Sequence, residues 1–132
     1  MKIHQSFLIA FSTYSAIPMP HADWKPENMR YSLCFFPLIG LVIGGLLWGW
    51  TFLCTILQIG SGLFAAAAAA IPVLVSGGIH LDGFCDTADA LASHQSREKK
   101  IEILKDSHAG AFAIIFCVLY FLLQFGFWTE WI

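Results

Sequence analysis

The sequence predicts an all-α integral membrane protein: a helical bundle with about three transmembrane helices, an N-terminal interfacial helix and a polar helical motif on the cytoplasmic side. Three observations lead there. Apolar residues make up 58% of the 132 residues and charged residues only 12%, against about 25% charged in a typical soluble domain. So small a domain cannot hide that much apolar surface from water, whereas a bilayer does not require it to. Charge is also segregated. No Asp, Glu, Lys or Arg occurs from Tyr31 to Ile79 or from Ser107 to Thr129, and ten of the sixteen charged residues lie between Asp82 and Asp106. The chain therefore reads as two apolar blocks around one polar loop, a single membrane-embedded domain over 1–132. The net charge of −2 and the lack of a basic tract exclude a nucleic-acid partner.

Residues 3–17 place Ile3, Phe7, Leu8, Phe11 and Tyr14 near one face at helical spacing. An uncleaved helix lying at the membrane surface is expected there, ended by Pro18 and Pro20. His21 to Arg30 is polar and turn-like. Residues 35–57 form the first span, about 35 Å at 1.5 Å per residue, with Pro37 tolerated in its first turn. Gly40, Gly44, Gly45 and Gly49 give two GxxxG spacings. They fit close packing against another helix of the same chain, or alternatively a homo-oligomer face.

Gln58 to Gly62 is a turn, and the second span runs from about Leu63 to Gly77. Ala65 to Ala70 make it thin and strongly helical. It is short for a crossing, so it is expected to continue into the polar motif or to bend at Pro72, with Gly77-Gly78 loosening the backbone. The third span covers Gly110 to Trp128, with Ser107 as its expected N-cap and Trp128, Trp131 and Trp24 as interfacial aromatics. Cys34, Cys54, Cys85 and Cys117 form no metal or redox spacing and read as reduced and structural.

Spans one and two make a hairpin, so residues 1–30 and 80–109 share a side. That side carries all seven basic residues: Lys2, Lys25, Arg30, Arg97, Lys99, Lys100 and Lys105. The positive-inside rule makes it cytoplasmic, with the C-terminus outside.

The chemistry-bearing string is His80 to Asp89. On a helix, Asp82, Asp86 and Asp89 stand at i, i+4 and i+7 and share one face. Like charges so placed repel, and more so at a membrane edge of low dielectric. A hard divalent cation such as Mg²⁺ would remove that repulsion. The alternatives are a solvated acidic face or a proton relay. Leu81, Phe84, Cys85, Ala88 and Leu91 argue against simple solvation, since they continue the apolar span. A second polar helix is expected from Arg97 to about Asp106. Its Arg97 and Lys105 could hold phosphate beside a metal. Asp106 could be a metal ligand, a general base or a helix-terminal charge. His80 could be ligand, base or phosphate contact, or simply structural.

Gly78-Ile79-His80-Leu81-Asp82-Gly83, then Asp86-Thr87 and Asp89, resembles the signature of the cobalamin synthase family, the adenosylcobinamide-GDP ribazoletransferases. Ile17-Pro18-Met19-Pro20, Pro37-Leu38-Ile39-Gly40 and Ile101-Glu102-Ile103-Leu104-Lys105-Asp106-Ser107, with Gly110, resemble further motifs in the same order. Leu104 stands where Met is usual and His108 where a basic residue is frequent. The resemblance implies a Mg²⁺-dependent enzyme of a bacterial or archaeal cytoplasmic membrane. Its substrates would be adenosylcobinamide-GDP and α-ribazole or its 5′-phosphate, and it would release GMP. A ribazole hydroxyl, expected to be the 5′-hydroxyl, would attack the corrinoid-proximal phosphorus. Asp82, Asp86 and Asp89 would hold metal, and Asp106 and His80 would be catalytic. Arg97, Lys105 and Ser107 would contact phosphate. Family members run to about twice this length, so the chain resembles their N-terminal half.

Three rivals remain at this level. A CDP-alcohol phosphotransferase would also cluster aspartates, but its downstream Ala-Arg and Gly-x-x-x-Asp-x-x-x-Asp do not follow Asp82-Gly83. An ion- or proton-relay transporter subunit would place its carboxylates mid-membrane. An inactive fragment would hold the motif without turnover.

Overall fold

A computed structural model describes residues 3–106 and 108–131, and these residues are all-helical outside turns and loops. The helices are α1 (Ile3–Tyr14), α2 (Pro26–Met29), α3 (Phe36–Leu57), α4 (Ser61–Ser76), α5 (Ile79–Ala92), α6 (Arg97–Ile103) and α7 (Ala111–Thr129), with a 3₁₀ turn at Ser32–Phe35 before α3. The expected membrane bundle is present. The stretch Pro26–Leu57 and helix α7 are each long and apolar enough to cross a bilayer, and a third crossing is available if α4 and α5 count as one broken span.

Helix α4 sits between α3 and α7. Its alanines explain the closeness: Ala65 and Ala68 are fully buried, and neither has a side chain long enough to hold a neighbour away. At one end, Phe64 and Ala68 meet Cys54 of α3, with Leu47, Trp50, Ile59 and Trp128 around them. The Trp50 indole N–H donates to the Phe64 carbonyl at 3.1 Å, tying α3 to α4. Trp128 stands edge-on to Phe64 at 6.0 Å. Trp128 thus packs, partly buried, against the helix core, while Trp24 and Trp131 are exposed. Outside this core, Leu41, Trp48 and Phe127 are each more than 70% exposed. Such a surface suits lipid, where burial of apolar groups no longer drives packing and shape complementarity does.

The glycines of α3 behave differently from expectation. A Cβ built at Gly40, Gly44, Gly45 or Gly49 meets nothing within 4 Å. No described helix of this chain packs closely on that face.

Helix α1 ends at Tyr14, three residues short of the expected boundary, and its packed face is rotated. Ser6, Ile9, Ala10 and Phe11 are buried, whereas Ile3 is exposed. The reason is polar. The Ser6 hydroxyl donates to the Asn28 carbonyl at 2.7 Å, and Gln5 accepts the Asp23 N–H at 2.7 Å. The segment expected to be a polar turn thus contains α2 and folds back over α1. Phe7 and Tyr14 stand edge-on to Phe35 and Phe36, docking α1 on the start of α3. The Ala16 N–H donates to the Val75 carbonyl at 2.8 Å, pinning the α1 tail to the end of α4. The N-terminal segment and the polar motif therefore lie at the same end of the bundle, as the hairpin argument requires. All four cysteines are free.

Candidate functional site

Helix α4 does not run on into the motif. It passes through Pro72 unbroken, ends at Gly77, and α5 departs at 95°. Two successive left-handed residues make the corner, Gly77 (φ 66°) and Gly78 (φ 77°). Only glycine takes that conformation without a steric penalty. If the span continues into the motif, it does so through a right-angled break at the glycine pair. The bend lies at these glycines and not at Pro72, which sits inside the uninterrupted α4. The Gly78 carbonyl accepts the Asp82 N–H at 2.8 Å, the first helical bond that restarts the chain.

On α5, Asp82 is exposed, and Asp86 and Asp89 are half-buried. Asp82 lines an open cleft with Gly77, Gly78, Cys85 and Ala109. His80 lies on the other side of the helix. It stands edge-on to Phe36 at 5.6 Å and lines a cleft of about 300 Å³ with Pro72, Phe84 and Tyr120. The structure does not bring His80 and Asp82 into one cavity.

Asp89 is turned to α7. Its Oδ2 accepts the Gly110 N–H at 2.6 Å and its Oδ1 accepts the Ala113 N–H at 2.9 Å. Asp89 also lines a cleft of about 370 Å³ with Ser93, Ile103, Asp106, His108 and Gly110. The two acidic motifs, 17 residues apart in sequence (106 − 89), therefore face one cavity.

Between them, α6 is shorter than expected. Ser96 caps it by accepting the Lys99 N–H at 3.4 Å, and it ends at Ile103. Arg97 opens the helix, whereas Lys105 and Asp106 follow it in a turn and loop. Both basic side chains are exposed and neither forms an ion pair among the described residues. Ser107, expected as helix cap and phosphate contact, lies outside the described residues.

Asp106 is held by His108. Its Oδ1 accepts from the His108 ring Nδ1 at 2.7 Å and from the His108 backbone N–H at 3.0 Å. The ring hydrogen bond chiefly, and the backbone one next, keep the Asp106 carboxyl below its ordinary value. A depressed carboxyl stabilises the fold above its ordinary value of 3.8, and that contribution is lost as pH falls through the lower folded value. His108→Ala is expected to move the Asp106 titration upward, read as the carboxyl carbon shift in an NMR pH series. An unmoved titration would remove His108 as the cause.

Residues 6–132 match the family model described as cobalamin-5-phosphate synthase. The chain belongs to this family. Relatives carry the name adenosylcobinamide-GDP ribazoletransferase. That of Lachnoclostridium phytofermentans is 54% identical over 126 residues, covering 96% of this chain and 48% of the relative. Those of Clostridium botulinum and Brevibacillus brevis are 35% and 39% identical, covering 95% and 92% of this chain and 50% and 49% of theirs. The chain spans about half the length of the curated relatives it matches. No solved structure matches it.

Within the cobalamin-5-phosphate synthase family, this half contributes carboxylates of the right chemistry for a hard cation. Among the described residues, no three His, Cys, Asp or Glu side chains converge as a ready-made cage. Gly110 and His108 are the site residues that sequence reasoning undervalued. A glycine just before a long apolar helix was visible, but nothing in its spacing pointed to Asp89.

Proposed function

We propose that this chain carries the metal- and phosphate-handling half of a Mg²⁺-dependent transferase that joins adenosylcobinamide-GDP to α-ribazole, or to its 5′-phosphate, and releases GMP. Family membership supports the reading, as do the names of the relatives. The structural observation that carries it is the cleft beside the start of α7 that Asp106 lines, with the adjacent helix α5 bearing Asp82 and Asp86.

In the reaction, a ribose hydroxyl oxygen bonds to the corrinoid-proximal phosphorus, the bridging P–O bond breaks, and GMP leaves with that electron pair. The 5′-hydroxyl cannot be the nucleophile when the acceptor is the 5′-phosphate, so we assign a ring hydroxyl instead. Asp106, which lines the cleft, is assigned as the base that accepts the hydroxyl proton. Arg97 and Lys105 are assigned to the diphosphate, where their exposed cations offset its charge, and Ser107 is retained as a third contact. Asp82 and Asp86, which make no side-chain hydrogen bond among the described residues, are assigned to hold Mg²⁺. When bound, the ion supplies charge neutralisation at the diphosphate. His80 borders the adjoining apolar cleft and is assigned to substrate contact there. We place the motif end in the cytoplasm, because the basic residues gather there. A mid-membrane relay fits less well, since α5 turns 95° away from the axis of α4.

The test is direct. Membranes holding this chain are incubated with adenosylcobinamide-GDP, α-ribazole and Mg²⁺, and GMP is quantified beside a full-length relative. Release of GMP that EDTA abolishes is the expected result. No GMP from this chain, with the relative active in parallel, would sink the reading for the chain alone and favour the inactive-fragment alternative.

A further inference from the structure

Helix α7 (Ala111–Thr129) has Gly110 as its N-cap, a residue with no side chain to offer its first turn. The first backbone N–H groups of a helix have no intrahelical partner and carry partial positive charge. Here a carboxylate from 21 residues earlier meets two of them, with one oxygen for the Gly110 N–H and the other for the Ala113 N–H. Position 110 leaves room for that carboxylate and nothing else. A Cβ on residue 110 would stand 2.6 Å from Asp89 Oδ1 and 2.7 Å from Oδ2. Between the two anchors runs residues 90–109, a segment that contains α6 and whose main packing partner is α5. Closing that segment costs chain entropy, and the pair of charged hydrogen bonds offsets it.

We propose that Asp89 is a positioning residue and not a metal ligand: its carboxylate clamps the motif helix to the first turn of α7, and so fixes the segment that carries Arg97, Lys105 and Asp106. The clamp stands on geometry alone. Its consequence for catalysis rests on the transferase reading above.

Two variants test it, because they break one contact from opposite sides. Asp89→Asn offers one acceptor oxygen for two N–H donors and turns an amide N–H₂ toward the second. Gly110→Ala leaves every carboxylate in place but drives Asp89 off by its new Cβ. The first measurement is the rate of tryptic cleavage after Arg97, Lys99, Lys100 and Lys105 in detergent-solubilised chain containing EDTA. Both variants are expected to be cut roughly tenfold faster than wild type through local opening. The double variant should be cut no faster than either single one, and Asp82→Asn should match wild type. With metal absent, a residue that served only as a ligand could not alter this rate. Wild-type cleavage of either variant, or additive effects in the double variant, would overturn the clamp. Far-ultraviolet circular dichroism of each variant separates loosening of the segment from general unfolding.

The second measurement is kinetic. Both variants are expected to raise the KM for adenosylcobinamide-GDP severalfold while leaving the Mg²⁺ concentration for half-activation unchanged. A raised Mg²⁺ requirement in Asp89→Asn but not in Gly110→Ala would return Asp89 to the metal. A fall in turnover alone, with both constants unmoved, would reduce the clamp to a structural role and overturn the positioning part. Absence of GMP from wild type would refute the transferase reading of this chain, while the cleavage rates would still decide the clamp.

Discussion

Asp82→Asn and Asp86→Asn are each expected to lower GMP release by about 10²- to 10³-fold, the scale of losing a group that stabilises transition-state charge. Among the aspartates of α5 and of the loop after α6, the described carboxylate hydrogen bonds belong to Asp89 and Asp106. Asp82 and Asp86 have no such partner among the described residues, stand one helical turn apart, and are exposed and half-buried respectively. Stability should move the other way. Removing one of two like charges at i and i+4 relieves repulsion of about 0.2–0.5 kcal/mol, so the variants should melt no lower than wild type. Loss of activity without loss of stability marks a functional carboxylate. The measurements are initial rates across a Mg²⁺ titration and thermal unfolding in detergent. Full activity with an unchanged Mg²⁺ dependence in both variants would remove these residues from the metal site.

The corner before the motif carries the largest expected effect on stability. Gly77→Val should destabilise the fold by about 2–4 kcal/mol, from the left-handed backbone penalty plus the strain of inserting a branched side chain. Residue 77 has no spare room: a Cβ there would stand 3.3 Å from the Ala16 Cβ, beside the bond between Ala16 N–H and the Val75 carbonyl. Gly78 has the same backbone sign but open space around it. Gly78→Asn should therefore cost under about 1 kcal/mol, since asparagine tolerates that region. Against a total stability of about 5–15 kcal/mol, the first change is severe and the second is not. Thermal unfolding of the two variants side by side checks this. Equal and small effects would mean that the corner is not held by its contact with α1.

The membrane character, the three apolar helices and the two acidic motifs were all legible in the amino-acid order. Each depends on local pattern: charge-free runs, helical spacing of Asp82, Asp86 and Asp89, and the glycine pair before His80. The 95° corner was only half legible. Gly77-Gly78 announced a weak point, but a glycine pair permits a turn without dictating its angle. The rotated face of α1 was not legible, because it follows from Ser6 bonding to the Asn28 carbonyl, 22 residues away. The contact of Trp128 with Phe64 was not legible for a similar reason. An aromatic near a helix end looks the same in sequence whether it meets lipid headgroups or Phe64 of another helix.

By itself, then, the sequence determined what kind of molecule this is and which residues carry its charge. Hydropathy and helical period are properties of neighbours along the chain. The tertiary structure alone decided which carboxylate meets the backbone of α7. Asp82, Asp86 and Asp89 are equivalent by spacing, yet the packing of α7 against α5 gives two backbone N–H partners to Asp89 and, among the described residues, to neither of the others. The physical reason is that a hydrogen bond depends on distance in space, and Gly110 approaches Asp89 only once the intervening segment has closed.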